Sequence, residues 1–595
     1  MKQKQNKAKG SLRLLLPYIA PYKWAFLLAV LMILVQSVCL AIMPSVEGGI
    51  TTQLASDLMA ITKGEAGAQI HYGIVLHIIL TLAVVFILKT ISGIISIVSV
   101  TDATQNSMRS LRNALQKKLH TLPVAYFDAH PYGDVLSRIT NDVDTISNAL
   151  QQTLLNIIAG VLSLVLALVM MFRINVYMAL IGSLIIPLAL VITAFVVRHS
   201  QKQFRLQQDA VGELNGRVTE LYTGYNEILL YNKQKDAVEN FKEVNARLQH
   251  HAFRAQFLSS TMSPLISLVT YLVIGTVAAL GCSYALAGAL TIGSLQAFIR
   301  YIWQLNDPLS QVSQMSGQIQ SAFAALGRVT DFLNQQDEIP EQDPPTELGT
   351  VRGEVSFQHV NFGYGEGEII HDLSFDVKPG QMVAIVGPTG AGKTTLINLL
   401  LRFYDVNGGQ ILIDGKDIRS LRRDDLRRAF GMVLQDTWLF SGTISENLRY
   451  GRLNARKDEV VAAAKSANVH HFIRTLPDGY DMQVNEEGSN ISQGEKQLLT
   501  IARALLRDPE ILILDEATSS VDTRLEKRLQ DAMHNIMKGR TSFVIAHRLS
   551  TIRSADLILV LKDGDIVEQG THDSLMEQGG FYSQLYNAQF TRSAG

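Results

Sequence analysis

The sequence predicts two domains in series: an α-helical six-span membrane domain with long cytoplasmic helical extensions, followed by an α/β P-loop domain with a helical insertion. Three observations carry this reading. Long, charge-poor apolar runs are confined to the first half of the chain. Lys and Arg gather in alternate connections between those runs, and beyond residue 350 short apolar strands alternate with helices around a GxxxxGK[ST] motif. The chain has 595 residues, 47% of them hydrophobic and 18% charged, below the roughly 25% charged of an average soluble protein; mean hydropathy is +0.15. Its 53 Lys+Arg are balanced by 54 Asp+Glu, so overall basicity gives nucleic-acid binding no support. At about 150 residues per domain the length holds roughly four domain-equivalents, which excludes a single mini-domain.

The runs Trp24–Met43, Ile74–Val100, Ile157–Phe172, Val176–Val197 and Leu265–Leu280 reach or approach the ~20 residues that a bilayer crossing needs, with Lys89 as the one charge inside them. A sixth run, Leu290–Leu309, carries Arg300 and Asp307, and Pro308 is expected to mark its end. Orientation follows from the basic residues. Residues 1–22 hold five Lys or Arg, 101–150 hold five and 198–255 hold nine, against Lys63 and Arg173 in the intervening connections. The basic segments and both termini are therefore expected in the cytoplasm. No small-residue cleavage site follows the basic start, so an uncleaved membrane protein is expected, with Ser11–Ala20 as a short interfacial helix. Cys39 and Cys282 lie in or beside spans and support neither a disulfide framework nor a Cys-rich metal site.

The two long cytoplasmic segments are too long for simple turns. Regular apolar spacing in Met108–Leu122 and Val211–Leu230 predicts membrane helices that continue into the cytoplasm as two hairpins. At the first tip Pro131 and Gly133 break the helix and Asp134 is expected to cap the next one. A plain helix turn and a contact helix for another domain are both open readings of this tip.

Residues 1–330 form the predicted membrane domain. Residues 331–350, rich in Pro, Glu, Asp and Gln, form a linker. Residues 351–595 form an α/β domain with strands at Val355–Phe362, Met382–Val386, Gln410–Ile413, Ile511–Leu514, Ser542–Ile545 and Leu557–Leu561. Its chemistry begins after the second of these, at Gly387-Pro388-Thr389-Gly390-Ala391-Gly392-Lys393-Thr394. Such a loop lets backbone N–H groups wrap phosphates, places a helix N-terminus behind them, brings Lys393 to the β- and γ-phosphates and offers Thr394 to Mg²⁺. Ile511-Leu512-Ile513-Leu514-Asp515-Glu516 is a buried strand ending in acids, where Asp515 can hold Mg²⁺ and Glu516 can polarise the attacking water. Alone, that strand end would more often be a helix-capping acid; its pairing with the phosphate loop reverses the balance. The stretch from Leu421 to Leu506 between the motifs reads as a largely helical insertion.

Ser492-Gln493-Gly494-Glu495, followed by Lys496-Gln497-Leu498-Leu499-Thr500-Ile501-Ala502-Arg503-Ala504-Leu505, resembles the signature of ATP-binding cassette (ABC) proteins. With Asp515-Glu516-Ala517-Thr518-Ser519-Ser520-Val521-Asp522 and Ile545-Ala546-His547-Arg548, the chain resembles an ABC exporter half-transporter along nearly its whole length. The resemblance implies ATP and Mg²⁺ as cofactors and ATP hydrolysis coupled to transport. It implies Tyr364 as the aromatic stacked on adenine, Thr395 beside the phosphate loop, Gln435 near Mg²⁺ and the attacking water, and His547 as the switch histidine on the γ-phosphate. Ser492, Gln493, Gly494 and Glu495 would face ATP held by a second cassette, with Asp522 at that interface. Glu486 and Asp134 would couple cassette to membrane hairpins. Taken singly, Tyr364, Gln435, His547 and each of these acids would more often be core, solvated or capping residues.

The usual LSGGQ is Ile491-Ser492-Gln493-Gly494-Glu495 here, and Glu495 brings a negative charge to a phosphate-binding loop. The site that uses this signature is expected to be impaired, while this chain's own nucleotide site keeps Glu516 and His547. That asymmetry resembles heterodimeric bacterial multidrug exporters; a homodimer that tolerates the variant is the alternative. The expected function is ATP-driven export or flipping of amphipathic small molecules, multidrug-type, across the bacterial plasma (inner) membrane by alternating access. The ATPase domain is expected in the cytoplasm, membrane lipids surround the spans, and nucleic acid is not a partner. A lipid or peptide exporter and an ATP-gated channel are the competing readings. In the sixth span Gln296, Arg300 and Gln304 recur at i, i+4 and i+8, a polar stripe that faces a water-filled cavity or a helix partner.

Overall fold

The computed structural model describes residues 14–66, 68–365, 367–434, 437–485, 488–515, 523–546 and 549–590. It divides into two compact units, Met1–His120 with Tyr132–Gln335, and Thr121–Pro131 with Gln336–Gly595. The tip of the first predicted hairpin is thus grouped with the cassette.

The first unit is helical throughout. Its long helices are α1 (Lys23–Thr62) and α2 (Tyr72–Thr121). The tip helices α3 (Val124–Ala129) and α4 (Tyr132–Ile139) follow, α3 lying in the second unit. Next come α5 (Leu154–Ile174), α6 (Val176–Ser183), α7 (Ile185–Thr223), α8 (Gln234–Leu286) and α9 (Ile292–Leu333). Among the described residues, five helical stretches are long and apolar enough to cross a bilayer: Leu14–Thr62, Tyr72–Thr121, Tyr132–Ile174, Val176–Thr223 and Gln234–Leu286. The sixth predicted span is the helix α9, which is not among those five; Arg300 and Asp307 dilute its apolar character. Asn175 makes the tight turn between α5 and α6 by accepting the Met178 N–H at 3.1 Å, and Thr291 starts α9 by accepting the Ser294 N–H at 3.2 Å.

Two helix boundaries differ from expectation. The stretch between the first two predicted spans, Trp24–Met43 and Ile74–Val100, is largely helix, because α1 runs through Pro44 to Thr62. Pro308 likewise lies inside α9 rather than ending it. A helix packed among other helices tolerates proline, since neighbours re-satisfy the freed carbonyls. Residues 14–19 are helical, as expected for the interfacial segment, and residues 11–13 lie outside the described residues. The continuations beyond the apolar runs are helical as expected: α7 and α8 lie side by side, joined by Arg247 to Glu213 at 2.6 Å. The inner end of α9 is fixed by Arg328, whose Nε and Nη2 donate to both oxygens of the buried Asp142 at 2.8 and 2.5 Å.

The second unit contains a six-stranded sheet in the order β12-β11-β3-β10-β9-β6 and a four-stranded antiparallel sheet in the order β2-β1-β4-β5. The strands are β1 (Val355–Phe362), β2 (Ile370–Val377), β3 (Met382–Val386), β4 (Gly408–Ile413), β5 (Lys416–Asp417), β6 (Phe430–Val433), β7 (Gly442–Thr443), β8 (Gln483–Val484), β9 (Ile511–Asp515), β10 (Thr541–Ile545), β11 (Leu557–Lys562) and β12 (Asp565–Gly570). Strands β3, β6, β9, β10 and β11 run parallel, and apart from the partly buried Leu557 their Ile, Leu and Val residues are buried, one face in a core with helices and the other in a core shared with β1, β2 and β4. Strands β2 and β12 carry no expected counterpart; alternation of apolar and polar residues in Ile370–Val377 is their nearest signal. The acidic linker is not loose. Arg423 donates its backbone N–H to Glu341 at 2.9 Å and pairs with Glu338 at 3.0 Å, and the Thr346 N–H reaches the Ser420 carbonyl at 2.9 Å.

Candidate functional site

The site is set by where the strands end. In-register pairing places Ile385 of β3, Ile545 of β10 and Asp515 of β9 at the same level, and Leu514 pairs with Val433 of β6. Motifs up to about 160 residues apart in sequence therefore leave the carboxyl edge of one parallel sheet side by side, the usual place for a ligand in an open α/β sheet.

After Val386 the chain turns through the phosphate loop into α10 (Lys393–Leu400). Gly387 admits no side chain: a Cβ there would lie 2.3 Å from the Leu561 carbonyl. Gly392 caps α10 at a φ of 99°, a left-handed conformation that disfavours other residues. No side chain caps this helix, so its first N–H groups are left to an anion. Lys393 folds over the loop and donates to the Gly387 and Pro388 carbonyls at 2.7 and 3.0 Å. Burial lowers its pKa, and the nearby Asp515 carboxylate partly offsets that. Pro388, Thr389 and Gly390 are exposed on the loop, Ala391 is buried beneath it, and Thr394 is exposed in the first turn of α10. An open anion cradle, a cation over it and a carboxylate plus a hydroxyl at its edge fit ATP with Mg²⁺.

Tyr364 follows β1 and is half exposed. Its ring meets Phe362 and Tyr404 edge-on, at centroid distances of 5.0 and 4.9 Å. Its hydroxyl donates to Thr395 at 3.3 Å, so the buried Thr395 supports Tyr364 from behind. Tyr404 in turn donates to Asp128 of α3.

The signature opens α11 (Gln493–Arg507), with Ser492 at the N-cap. Gly494 is buried and Ser492 and Gln493 are exposed. The Ser492 hydroxyl donates to Glu495 at 2.6 Å. Arg503 anchors this helix: Nε reaches the Asn447 carbonyl at 2.9 Å and Nη1 the Trp438 carbonyl at 3.1 Å, and burial lowers its pKa. Gln435, Glu486, Glu516, Asp522 and His547 lie outside the described residues.

On the membrane side one expectation changes, and for Gln296 and Gln304 the helix-partner reading of the polar stripe is the one observed. Asp134 is not a cap but the third residue of α4, which starts directly after Pro131, and it pairs with Arg138 at 2.6 Å. Within the second unit, Asp128 of α3 accepts from Tyr404. The polar stripe of α9 faces α1: Gln296 accepts from Thr51, and Gln304 donates to the Leu40 carbonyl at 3.1 Å. Arg300 lies 3.7 Å from Glu47. Tyr404, Asp128 and Glu47 carry no sequence motif of their own, and only folding reveals them; Arg503 stands in the signature run, but its anchoring contacts are not legible there.

The model of the ABC transporter transmembrane region matches residues 26–309 and the ABC transporter ATP-binding model matches 370–519. A fatty acid ABC transporter ATP-binding/permease protein of Mycobacterium tuberculosis is 48% identical over 485 residues, 81% of this chain and 76% of the relative. An ATP-dependent lipid A-core flippase of Syntrophus aciditrophicus is 34% identical over 486 residues, 82% and 81% of the two chains. The solved structure of a bacterial Atm1-family ABC exporter with ATP bound is 29% identical, covers 97% of this chain and 99% of its own, and superposes with a TM-score of 0.72. A phosphate cradle at the carboxyl edge of the sheet, a signature helix and a fused multi-pass membrane domain, shared with these relatives, make the chain a member of the ABC transporter family, an exporter whose cassette hydrolyses ATP with Mg²⁺ to drive transport.

Proposed function

We propose that this chain is one half of a dimeric exporter that moves an amphipathic molecule, a lipid or a multidrug-type compound, across the bacterial plasma membrane by alternating access. The observation that carries this is the shared strand edge: the phosphate loop, Asp515 and the segments bearing Gln435, Glu516 and His547 all leave the sheet there. Relatives named for fatty acids and for lipid A-core favour a lipid-like cargo as much as a drug.

In the proposed site Lys393 and the first N–H groups of α10 bind the phosphates, and Tyr364 stacks on adenine. Thr394, Asp515 and Gln435 would hold Mg²⁺, which when bound neutralises charge on the β- and γ-phosphate oxygens. Glu516 takes the proton of the attacking water and His547 contacts the γ-phosphate. Ser492 and Gly494 serve ATP on the opposite cassette, so two cassettes are needed, with Asp522 between them and Glu486 toward the hairpins. Closing the cassettes around ATP shifts the membrane domain outward, and hydrolysis resets it. Glu495 favours a heterodimer in which a second chain supplies the better signature.

The experiment is ATPase activity of the chain purified alone in lipid nanodiscs, with Glu516→Gln as control. A folded, ATP-binding chain with negligible turnover supports the heterodimer; robust, mutant-sensitive turnover establishes a homodimer. Turnover retained by Glu516→Gln removes Glu516 from the role of base.

A further inference from the structure

Helices α1 and α9 approach closely and are stitched by polar contacts. Tyr301 donates to the Ala41 carbonyl at 2.6 Å and lies 2.8 Å from the Ser45 hydroxyl, while Gln296 and Gln304 are engaged by Thr51 and the Leu40 carbonyl. Arg300 is different. Its partner Glu47 is 3.7 Å away, an ion pair beyond hydrogen-bond reach. Its side chain is 65% exposed, against 30% for Glu47. Arg300 lies nine residues into α9 from the Thr291 cap, about 13 Å along the helix axis and near the middle of the sixth apolar run, Leu290–Leu309. A guanidinium inside a spanning run faces the bundle interior or a water-filled cavity rather than lipid, where it pairs with an acid or a ligand. Five N–H donors in a planar fork match a carboxylate or phosphate with two parallel bonds.

We propose that Arg300 reads the anionic head group of the amphipathic cargo, carboxylate or phosphate, and that Glu47 is the internal counter-ion exchanged for that head group. This rests on the exporter reading above and names the chemistry of its cargo. Glu47 holds the guanidinium in place while the site is empty, at a distance loose enough for an incoming anion to displace it. The stitched seam on either side fixes the height at which the head is read, and the apolar tail is left to the surrounding side chains.

The test is equilibrium binding of 11-(dansylamino)undecanoic acid and of its methyl ester to the purified full-length chain in neutral detergent, followed by dansyl fluorescence. No ATP is present, so a negative result here is separate from failure of ATP-driven export. The acid is expected to bind at least about tenfold tighter than the ester. Arg300→Ala should reduce the acid to the affinity of the ester, Arg300→Lys should keep part of the preference, and Glu47→Gln should tighten acid binding several-fold. Dodecyl phosphate should displace the probe and dodecyltrimethylammonium should not. Equal binding of acid and ester, a preference that survives Arg300→Ala, or displacement by the ammonium amphiphile as effective as by the phosphate would overturn the proposal. Weaker acid binding by a folded Glu47→Gln protein would overturn the exchange.

Discussion

The Ser492 hydroxyl donates to the Glu495 carboxylate at 2.6 Å across the first turn of α11. An N-cap serine usually accepts a backbone N–H from the first turn, and here its side chain makes no such bond. The donor proposed for a γ-phosphate is thus committed to a carboxylate, whose charge also opposes a phosphate. Glu495→Gln should raise ATP turnover of the assembled dimer about fivefold, equivalent to about 1 kcal/mol. Adding Ser492→Ala should cancel the gain. ATPase assays on purified dimer check both, and unchanged turnover in Glu495→Gln would mean the carboxylate swings clear when the cassettes close.

Tyr404 has two separable contacts: its ring supports Tyr364, and its hydroxyl donates to Asp128 in the hairpin tip. Burial, and then the Asp128 carboxylate, raise its pKa above the ordinary 10.0, so it stays a protonated donor at physiological pH. Tyr404→Phe should leave the KM for ATP unchanged and lower substrate stimulation of ATPase, because only the bond to the hairpin is lost. Tyr404→Ala should raise the KM about fivefold, the worth of one aromatic pair near 1 kcal/mol. Equal effects of the two variants on KM would remove the ring from adenine binding.

The architecture was legible where chemistry repeats along the chain. Apolar length located five spans, and β1 and β3 are bounded as their apolar runs predict. The phosphate loop was legible because glycine spacing, lysine and helix start must all coincide in a few residues. Ends of elements were less legible: the first apolar run stops at Met43 and Pro308 reads as a stop, yet packing carries both helices onward. Contacts between distant segments left no trace. Nothing in Arg-Phe-Tyr at 402–404 announces Asp128, and nothing in Glu47 announces Arg300. Such pairs depend on which faces meet, and a single sequence encodes that only through the whole fold.

Lys393 is partly buried over loop carbonyls with its pKa lowered, by burial first. The sign follows directly: a cation whose folded pKa lies below its ordinary value makes the charged form costly in the nucleotide-free fold. That cost applies at neutral pH and is relieved as pH rises through the folded value toward 10.5. Lys393→Met should therefore raise the melting temperature of the nucleotide-free protein by about 2 °C while abolishing ATP binding. The stability gain should shrink at alkaline pH. Thermal melts at pH 7 and pH 10, with and without ATP, check this; a lower melting temperature without nucleotide would contradict it.

Gly48 of α1 and Gly293 of α9 bring two backbones into direct contact. A Cβ on Gly293 would lie 1.7 Å from the Gly48 carbonyl oxygen and 2.3 Å from the Thr52 hydroxyl, and one on Gly48 would lie 2.3 Å from the Gly293 carbonyl. The nearest atom on each side is a backbone carbonyl oxygen, which no side-chain rotation can move, so the helices must separate to admit a methyl group. Membrane helices lack the hydrophobic drive that holds soluble ones together, and close approach at small residues supplies much of their packing energy. Gly293→Ala should destabilise the membrane domain by about 2 kcal/mol. It should also loosen the contacts along the same seam from Thr51–Gln296 to Ser45–Tyr301. Gly275→Ala is the matched control, since nothing lies within 4 Å of its Cβ position. Thermal aggregation in detergent should separate the two variants clearly; equal stability would mean that α1 and α9 part easily, and the seam could then not set the height of Arg300.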